Sequence, residues 1–105
     1  LGARVGEGTY SSGLVFDPHF VSIGADTQLG IDCLLIPHAQ AAGMLAHYPI
    51  RIGDRVTIGG RSVIMAGATI GDGAVVGFCS LVTRDTQIGP NEIWAGVPAR
   101  FIRKI

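Results

Sequence analysis

The sequence predicts an all-β solenoid in which short flat strands and turns alternate into stacked triangular coils, a parallel β-helix. Three observations predict it. Aliphatic residues recur every six positions as Ile52, Ile58, Ile64, Ile70, Val76, Val82 and Ile88, with Trp94 next in step. The position after them is usually glycine (Gly53, Gly59, Gly71, Gly77, Gly89), and four residues after each aliphatic stands a small or β-branched side chain: Val56, Ser62, Ala68, Ala74, Ser80, Thr86. The chain of 105 residues also holds 16 glycines but only seven aromatics, a composition suited to many turns around a thin interior. A helix needs a period of 3.6 and a lone strand a period of two, and neither yields six.

Each element follows from that grammar. The first clean hexads are Ile23-Gly24 with Thr27 and Leu29-Gly30 with Cys33, followed by Leu35. Three hexads close one coil of about eighteen residues, and coils stack at roughly the 4.8 Å strand spacing. Every aliphatic then points inward onto its equivalents, at about 1.5–3 kcal/mol per buried side chain. The glycines are read as turn residues using dihedrals closed to other side chains. Cys33 and Cys79 are read as small buried thiols. Trp94 falls on an inward position and reads as core or cap of the last coil.

Between Leu35 and Ile52 the interval is no multiple of six. The Ile36–Arg51 segment, bounded by Pro37 and Pro49, is therefore expected to leave the coil as an extruded loop at about residues 36–51. Long interruptions of a regular scaffold are usually functional. This one carries His38 and His47; the third histidine, His19, follows Asp17-Pro18. Imidazole titrates near neutrality and suits general-base work.

Composition narrows the function classes. Net charge is zero with no basic run, which argues against nucleic acid. No apolar stretch approaches the ~18 residues a spanning helix needs. No signal or transit segment is visible, and a reducing, cytoplasmic setting is expected. The length allows one domain over residues 1–105. Because it opens on Leu1 in mid-pattern, the chain reads as a fragment of something longer.

The run from Ile52 to Ile64, the Val82-Thr83-Arg84-Asp85 segment and the closing Ala95-Gly96-Val97-Pro98-Ala99-Arg100 resemble the hexapeptide-repeat acyltransferases. The likeness covers about Asp17 to the end and is strongest to maltose, galactoside and serine O-acetyltransferases. A finer likeness, in the spacing from His38 to Pro49-Ile50-Arg51-Ile52-Gly53, is to the β-helical acyltransferase-like domains that end some nonribosomal peptide synthetases. The resemblance implies left-handed coiling, a homotrimer, and transfer of an acetyl or other short acyl group from acyl-CoA to a hydroxyl or amine of a small acceptor. Acetyl-CoA would be the cosubstrate, with no metal.

Position by position, the resemblance implies His38 as the catalytic base facing a groove between subunits, and Asp17 and His47 near the acceptor. His47 is also the rival base, because serine-acetyltransferase-like sequences carry a histidine just before the restart proline, although Tyr48 intervenes here. Gly60, Phe78, Thr83, Arg84, Arg100 and Arg103 fall on coenzyme contacts. Arginine suits phosphates because its guanidinium fork binds them bidentately. The chain departs from the maltose-type Thr-x-His-Pro, reading Ile36-Pro37-His38-Ala39. Phe78 stands where a small residue is usual, and Arg84 replaces a lysine. Two other readings share the fold: a non-catalytic trimerising domain of a larger synthetase, and a metalloenzyme of the γ-carbonic-anhydrase kind, whose three-histidine zinc site the spacing of His19, His38 and His47 fits poorly.

Overall fold

The computed structural model describes residues 4–5, 10–11, 14–15, 20–41 and 44–105, with side chains described for 20–37 and 48–105. Among the described residues, seventeen strands, numbered along the chain, build three sheets and a hairpin. The first sheet, face A, holds β1 (Arg4–Val5), β4 (Val21–Ile23), β9 (Ile50–Ile52), β12 (Thr69–Ile70) and β15 (Gln87–Ile88). Face B holds β2 (Tyr10–Ser11), β5 (Gln28–Leu29), β10 (Thr57–Ile58), β13 (Val75–Val76), β16 (Glu92–Gly96) and β17 (Ala99–Lys104). Face C holds β3 (Leu14–Val15), β6 (Leu34–Ile36), β11 (Val63–Met65) and β14 (Leu81–Val82). All three are parallel apart from β17, which returns antiparallel along β16. The architecture is the left-handed parallel β-helix.

Register explains the period of six. Ile58 pairs with Val76 and Ile64 with Val82, so each inward aliphatic sits on the one a full coil later. The core is the column set Ile23, Leu29, Leu35, Ile52, Ile58, Ile64, Ile70, Val76, Val82 and Ile88, all buried. The small residues four positions on fill the corners: Thr27, Cys33, Val56, Ser62, Ala68, Ala74 and Ser80 are buried too. Hydroxyls there bridge coils. Thr27 Oγ1 donates to the Gly53 carbonyl at 2.8 Å, and Ser62 Oγ donates to the Gly77 carbonyl at 2.8 Å. Among the described residues no buried side-chain polar atom lacks a partner, as low-dielectric interiors require.

Two expectations are corrected by the corners. The left-handed turn dihedral falls on the third residue after each inward aliphatic, and not on the glycine that follows it. Asp26, Asp32, Arg55, Arg61, Cys79, Asp85 and Asn91 all have φ between 53° and 60°, with Gly67 and Gly73 at the same place in other corners. Aspartate and asparagine tolerate that region better than most side chains. The glycine after the aliphatic is needed for closeness instead. A Cβ on Gly59 would stand 2.6 Å from the Phe78 nitrogen, and one on Gly71 2.6 Å from the Pro90 nitrogen. The coils simply pass too near one another there. The second correction concerns Cys79, which occupies one of these left-handed positions and is exposed, while Cys33 is buried as expected; both thiols are free.

The interruption is narrower and more ordered than a loop. Ile36 still belongs to β6, and Ile50 and Arg51 to β9. What leaves the stack is an antiparallel hairpin of β7 (His38–Ala41) and β8 (Met44–His47). Its foot is tied by the Tyr48 amide, which donates to the Pro37 carbonyl at 2.8 Å. The ladder closes beneath it undisturbed, with Thr57 pairing to Gln28 on one side and Val75 on the other.

Candidate active site

Strand order places the hairpin at the corner between faces C and A, because it is inserted between β6 and β9. In that insertion His38 and His47 are direct register partners. The backbone thus puts the two loop histidines of the sequence opposite one another at the hairpin foot. Their side chains lie outside the described residues, as do Asp17 and His19 altogether.

A second feature lies elsewhere. A groove of about 440 Å³ runs along face B and its corner with face C, lined by β5, β10 and β13 and by the turns after them. Its rim carries Ile31, Gly60 and Phe78 from three successive coils. Ile31 is 67% and Phe78 81% exposed, an unusual state for large apolar side chains. Gly60 is the notch between them: a Cβ there would lie 3.0 Å from the Ile31 carbonyl oxygen and 3.5 Å from Phe78 Cε1. Two of the residues singled out in the sequence, Gly60 and Phe78, therefore share one groove. Ile31 and the glycine floor of Gly30, Gly59 and Gly77 were not singled out; the repeated glycine after the aliphatic was the available signal.

Arg100 and Arg103 sit on the returning strand β17, opposite Ala95 and Ile93. Register continues the column Gly59, Gly77 to Ala95, so Arg100 stands on the second strand beyond β13, the last strand that lines the groove. Both arginines are exposed. The terminal coil is closed by Trp94, which is half-buried against the core and meets the Phe101 ring edge-on at 6.4 Å. Its indole N–H donates to Glu92 Oε1 at 3.0 Å, and the Gly89 amide donates to the same oxygen at 2.8 Å. These two donors, the indole first, hold the Glu92 carboxyl below its ordinary range.

Thr83 and Arg84 are not in that groove. They lie at the C/A corner, on the same edge as the hairpin and one whole face away from Gly60 and Phe78. Thr83 Oγ1 is within 3.0 Å of Thr86 Oγ1, and the Arg84 guanidinium carbon sits 5.2 Å from the centroid of the Tyr48 ring. Among the described residues no cluster of three metal-ligating side chains occurs.

A left-handed β-helix with one extruded corner and an apolar groove defines a class. The bacterial transferase hexapeptide family (six repeats) matches residues 49–84, and the fold is that of solved hexapeptide-repeat acetyltransferases. It is 51% identical over 63 residues to galactoside O-acetyltransferase of Escherichia coli, covering 60% of this chain and 30% of the relative. A hexapeptide-repeat acetyltransferase of Vibrio cholerae, solved in complex with acetyl coenzyme A, superposes with a TM-score of 0.90 at 28% identity, over 98% of this chain and 60% of the other. Gamma carbonic anhydrase 1 of Arabidopsis thaliana is 33% identical over 97% of this chain and 44% of its own length. The chain spans less than half the length of these curated relatives.

Proposed function

We propose that the chain transfers an acetyl or other short acyl group from acyl-CoA to a hydroxyl or amine of a small acceptor, with His38 as general base. The observation that carries this reading is the glycine-floored groove, in a fold shared with an acetyl-CoA-bound relative, with Arg100 two strands further along the same face. A pantetheine arm needs a long, apolar, backbone-lined trough, and the nucleotide's phosphates need cations at one end. The groove supplies the first, and Arg100 and Arg103 the second.

The chemistry then runs as follows. His38 takes the proton from the acceptor as its oxygen or nitrogen attacks the thioester carbonyl. The tetrahedral oxyanion is held by backbone N–H donors. Its collapse breaks the carbon–sulfur bond, and the leaving thiolate recovers a proton from the imidazolium.

Within one chain the hairpin and the groove occupy different edges of the triangle, so the histidine of one copy would serve the groove of another. Face C supports that assembly. Its outward residues Leu34, Ile36, Val63, Met65 and Leu81 are all apolar and only half-buried, whereas face A turns Ser22, Arg51, Thr69 and Gln87 outward. A homotrimer buries such faces and brings the two edges together.

The test is His38→Ala, assayed by thiol release from acetyl-CoA against sugars, amino alcohols and amines. Loss of the base should lower kcat by about 10²–10⁴-fold; turnover at the parent rate would remove His38 from the mechanism. The likeness to a gamma carbonic anhydrase favours one other reading, a metal held by histidines. Stoichiometric zinc or iron in the purified protein, with no binding of CoA, would put that reading first. Absence of both CoA binding and metal would leave a trimerising domain of a larger synthetase.

A further inference from the structure

The polar side chains of the groove are sparse and sit together. Of the residues that line it, only Gln28 and Thr57 carry hydrogen-bonding side chains; the others are glycines, aliphatic residues and Phe78. The two are register partners on β5 and β10, one strand spacing of about 4.8 Å apart. Both are exposed, and among the described residues neither side chain has a hydrogen-bond partner.

The groove has two walls. Ile31, Gly60 and Phe78 form the rim at the corner with face C. Three residues earlier in each coil, Gln28, Thr57 and Val75 stand in one column of face B and form the opposite wall. That column continues to Ile93 on β16, which lies across from Arg103 on β17. It is polar at the end remote from the arginines and apolar towards them. Small-ligand pockets are mostly apolar, with a few polar groups that fix the ligand's orientation. The pair therefore marks where a polar part of the ligand lies.

The length of the coenzyme's arm says which part. About thirteen bonds join its nearest phosphate to its sulfur, roughly 15 Å at the reach of an extended chain. From β17 to β10 there are three strand spacings, together about 14 Å. With the phosphates at Arg100 the sulfur falls beside Thr57, and Gln28 stands one strand beyond it. An acetyl group ends about two bonds past the sulfur and stops short of Gln28. The rim borders face C, over which a second copy would bring its histidine. Base and acceptor then enter over the rim, and the opposite wall is left to the donor.

We propose that Gln28 and Thr57 form a subsite for the acyl group, and that the donor is a short acyl-CoA with a hydroxyl on the third carbon of its acyl chain. Thr57 Oγ1 donates to the thioester carbonyl oxygen, and the Gln28 carboxamide bonds the hydroxyl. Ile31 meets the hydrocarbon from the rim. The inference rests on the reading of this groove as the coenzyme site, and its test separates the two.

The experiment is calorimetry of the purified chain with CoA, acetyl-CoA, butyryl-CoA and 3-hydroxybutyryl-CoA, repeated on Gln28→Leu and Thr57→Val. The parent should bind 3-hydroxybutyryl-CoA about threefold to tenfold more tightly than butyryl-CoA, the effect of one net hydrogen bond. Gln28→Leu should erase that preference and leave the affinity for free CoA unchanged. Thr57→Val should weaken all three thioesters by about threefold or more relative to free CoA. The parent's preference is read without any variant, so it decides even if a substitution impairs folding. Equal affinity of the parent for butyryl-CoA and its hydroxy derivative overturns the proposal, as does a preference that survives Gln28→Leu. A Gln28→Leu chain that keeps the preference while its KM for the acceptor rises would give this wall to the acceptor instead. If free CoA does not bind, the coenzyme reading falls and takes the subsite with it; if CoA binds without discrimination, the subsite falls alone.

Discussion

Gly59 and Gly60 are adjacent in the chain and answer to different neighbours. A methyl group on Gly59 would press on the backbone of the next coil, at 2.6 Å from the Phe78 nitrogen, where nothing can give without parting the ladder. A methyl group on Gly60 would meet one carbonyl at 3.0 Å and the edge of an exposed ring at 3.5 Å. Gly59→Ala should therefore cost about 1–3 kcal/mol, as overpacking against fixed structure does, read as a lowered midpoint in urea. Gly60→Ala should unfold within about 1 kcal/mol of the parent and weaken CoA binding in calorimetry, because its methyl fills the groove. Equal stability losses at the two sites would refute this division. The period of six marked Gly59, but it gave the wrong reason, since spacing carries no information on how close the next coil lies. Gly60 and Phe78 emerged only through resemblance. Cys79 shows the same gap: a thiol within the pattern says nothing of inside or outside until the corner dihedrals are known.

At the scale of elements, the strands of the stack were legible because their inward columns repeat. The hairpin was legible only as a break. His38–Ala41 and Met44–His47 pair with each other alone, and they hold no β-branched residue to announce a strand. The returning strand β17 was hidden as well, because its arginines drew attention as ligands while its backbone was closing face B. Trp94, whose ring meets Phe101 of that strand, is held by Glu92, whose carboxylate accepts from the Trp94 indole and the Gly89 amide. The folded pKa lies below the unfolded one, so this support is complete above the ordinary glutamate value. It is lost as pH falls through the folded value. The emission of Trp94, the single tryptophan, should accordingly shift to the red on acidification before the stack melts. Glu92→Gln keeps an acceptor oxygen and should abolish that acid step; an unchanged step in the variant would show that another group titrates.

For the whole molecule, three faces of one triangle have three characters. Face A is polar outward, face B carries the groove, and face C presents apolar residues in register, Leu34 beside Val63 beside Leu81. With 48% of its residues hydrophobic the chain is rich in apolar side chains, but only the register assigns the outward ones to one side. On the trimer proposed above, Val63→Asp with Leu81→Asp should give monomers in sedimentation while leaving the inward columns and the far-ultraviolet spectrum intact. Turnover should fall with it, because histidine and groove would no longer meet. A parent chain that sediments as a monomer at full activity would contradict this arrangement. No helix among the described residues is long and apolar enough to cross a membrane.

The hairpin leaves and rejoins the stack at a single corner, so its length is invisible to the ladders on either side. Residues facing one another across adjacent coils are 18 apart where the chain runs straight and 29 apart where it makes the detour, and the hydrogen bonds are of the same quality in both cases. The arm that bears the imidazoles can thus be lengthened, shortened or exchanged for another without renegotiating the frame beneath it. A scaffold built this way separates the inheritance of its shape from the inheritance of its chemistry.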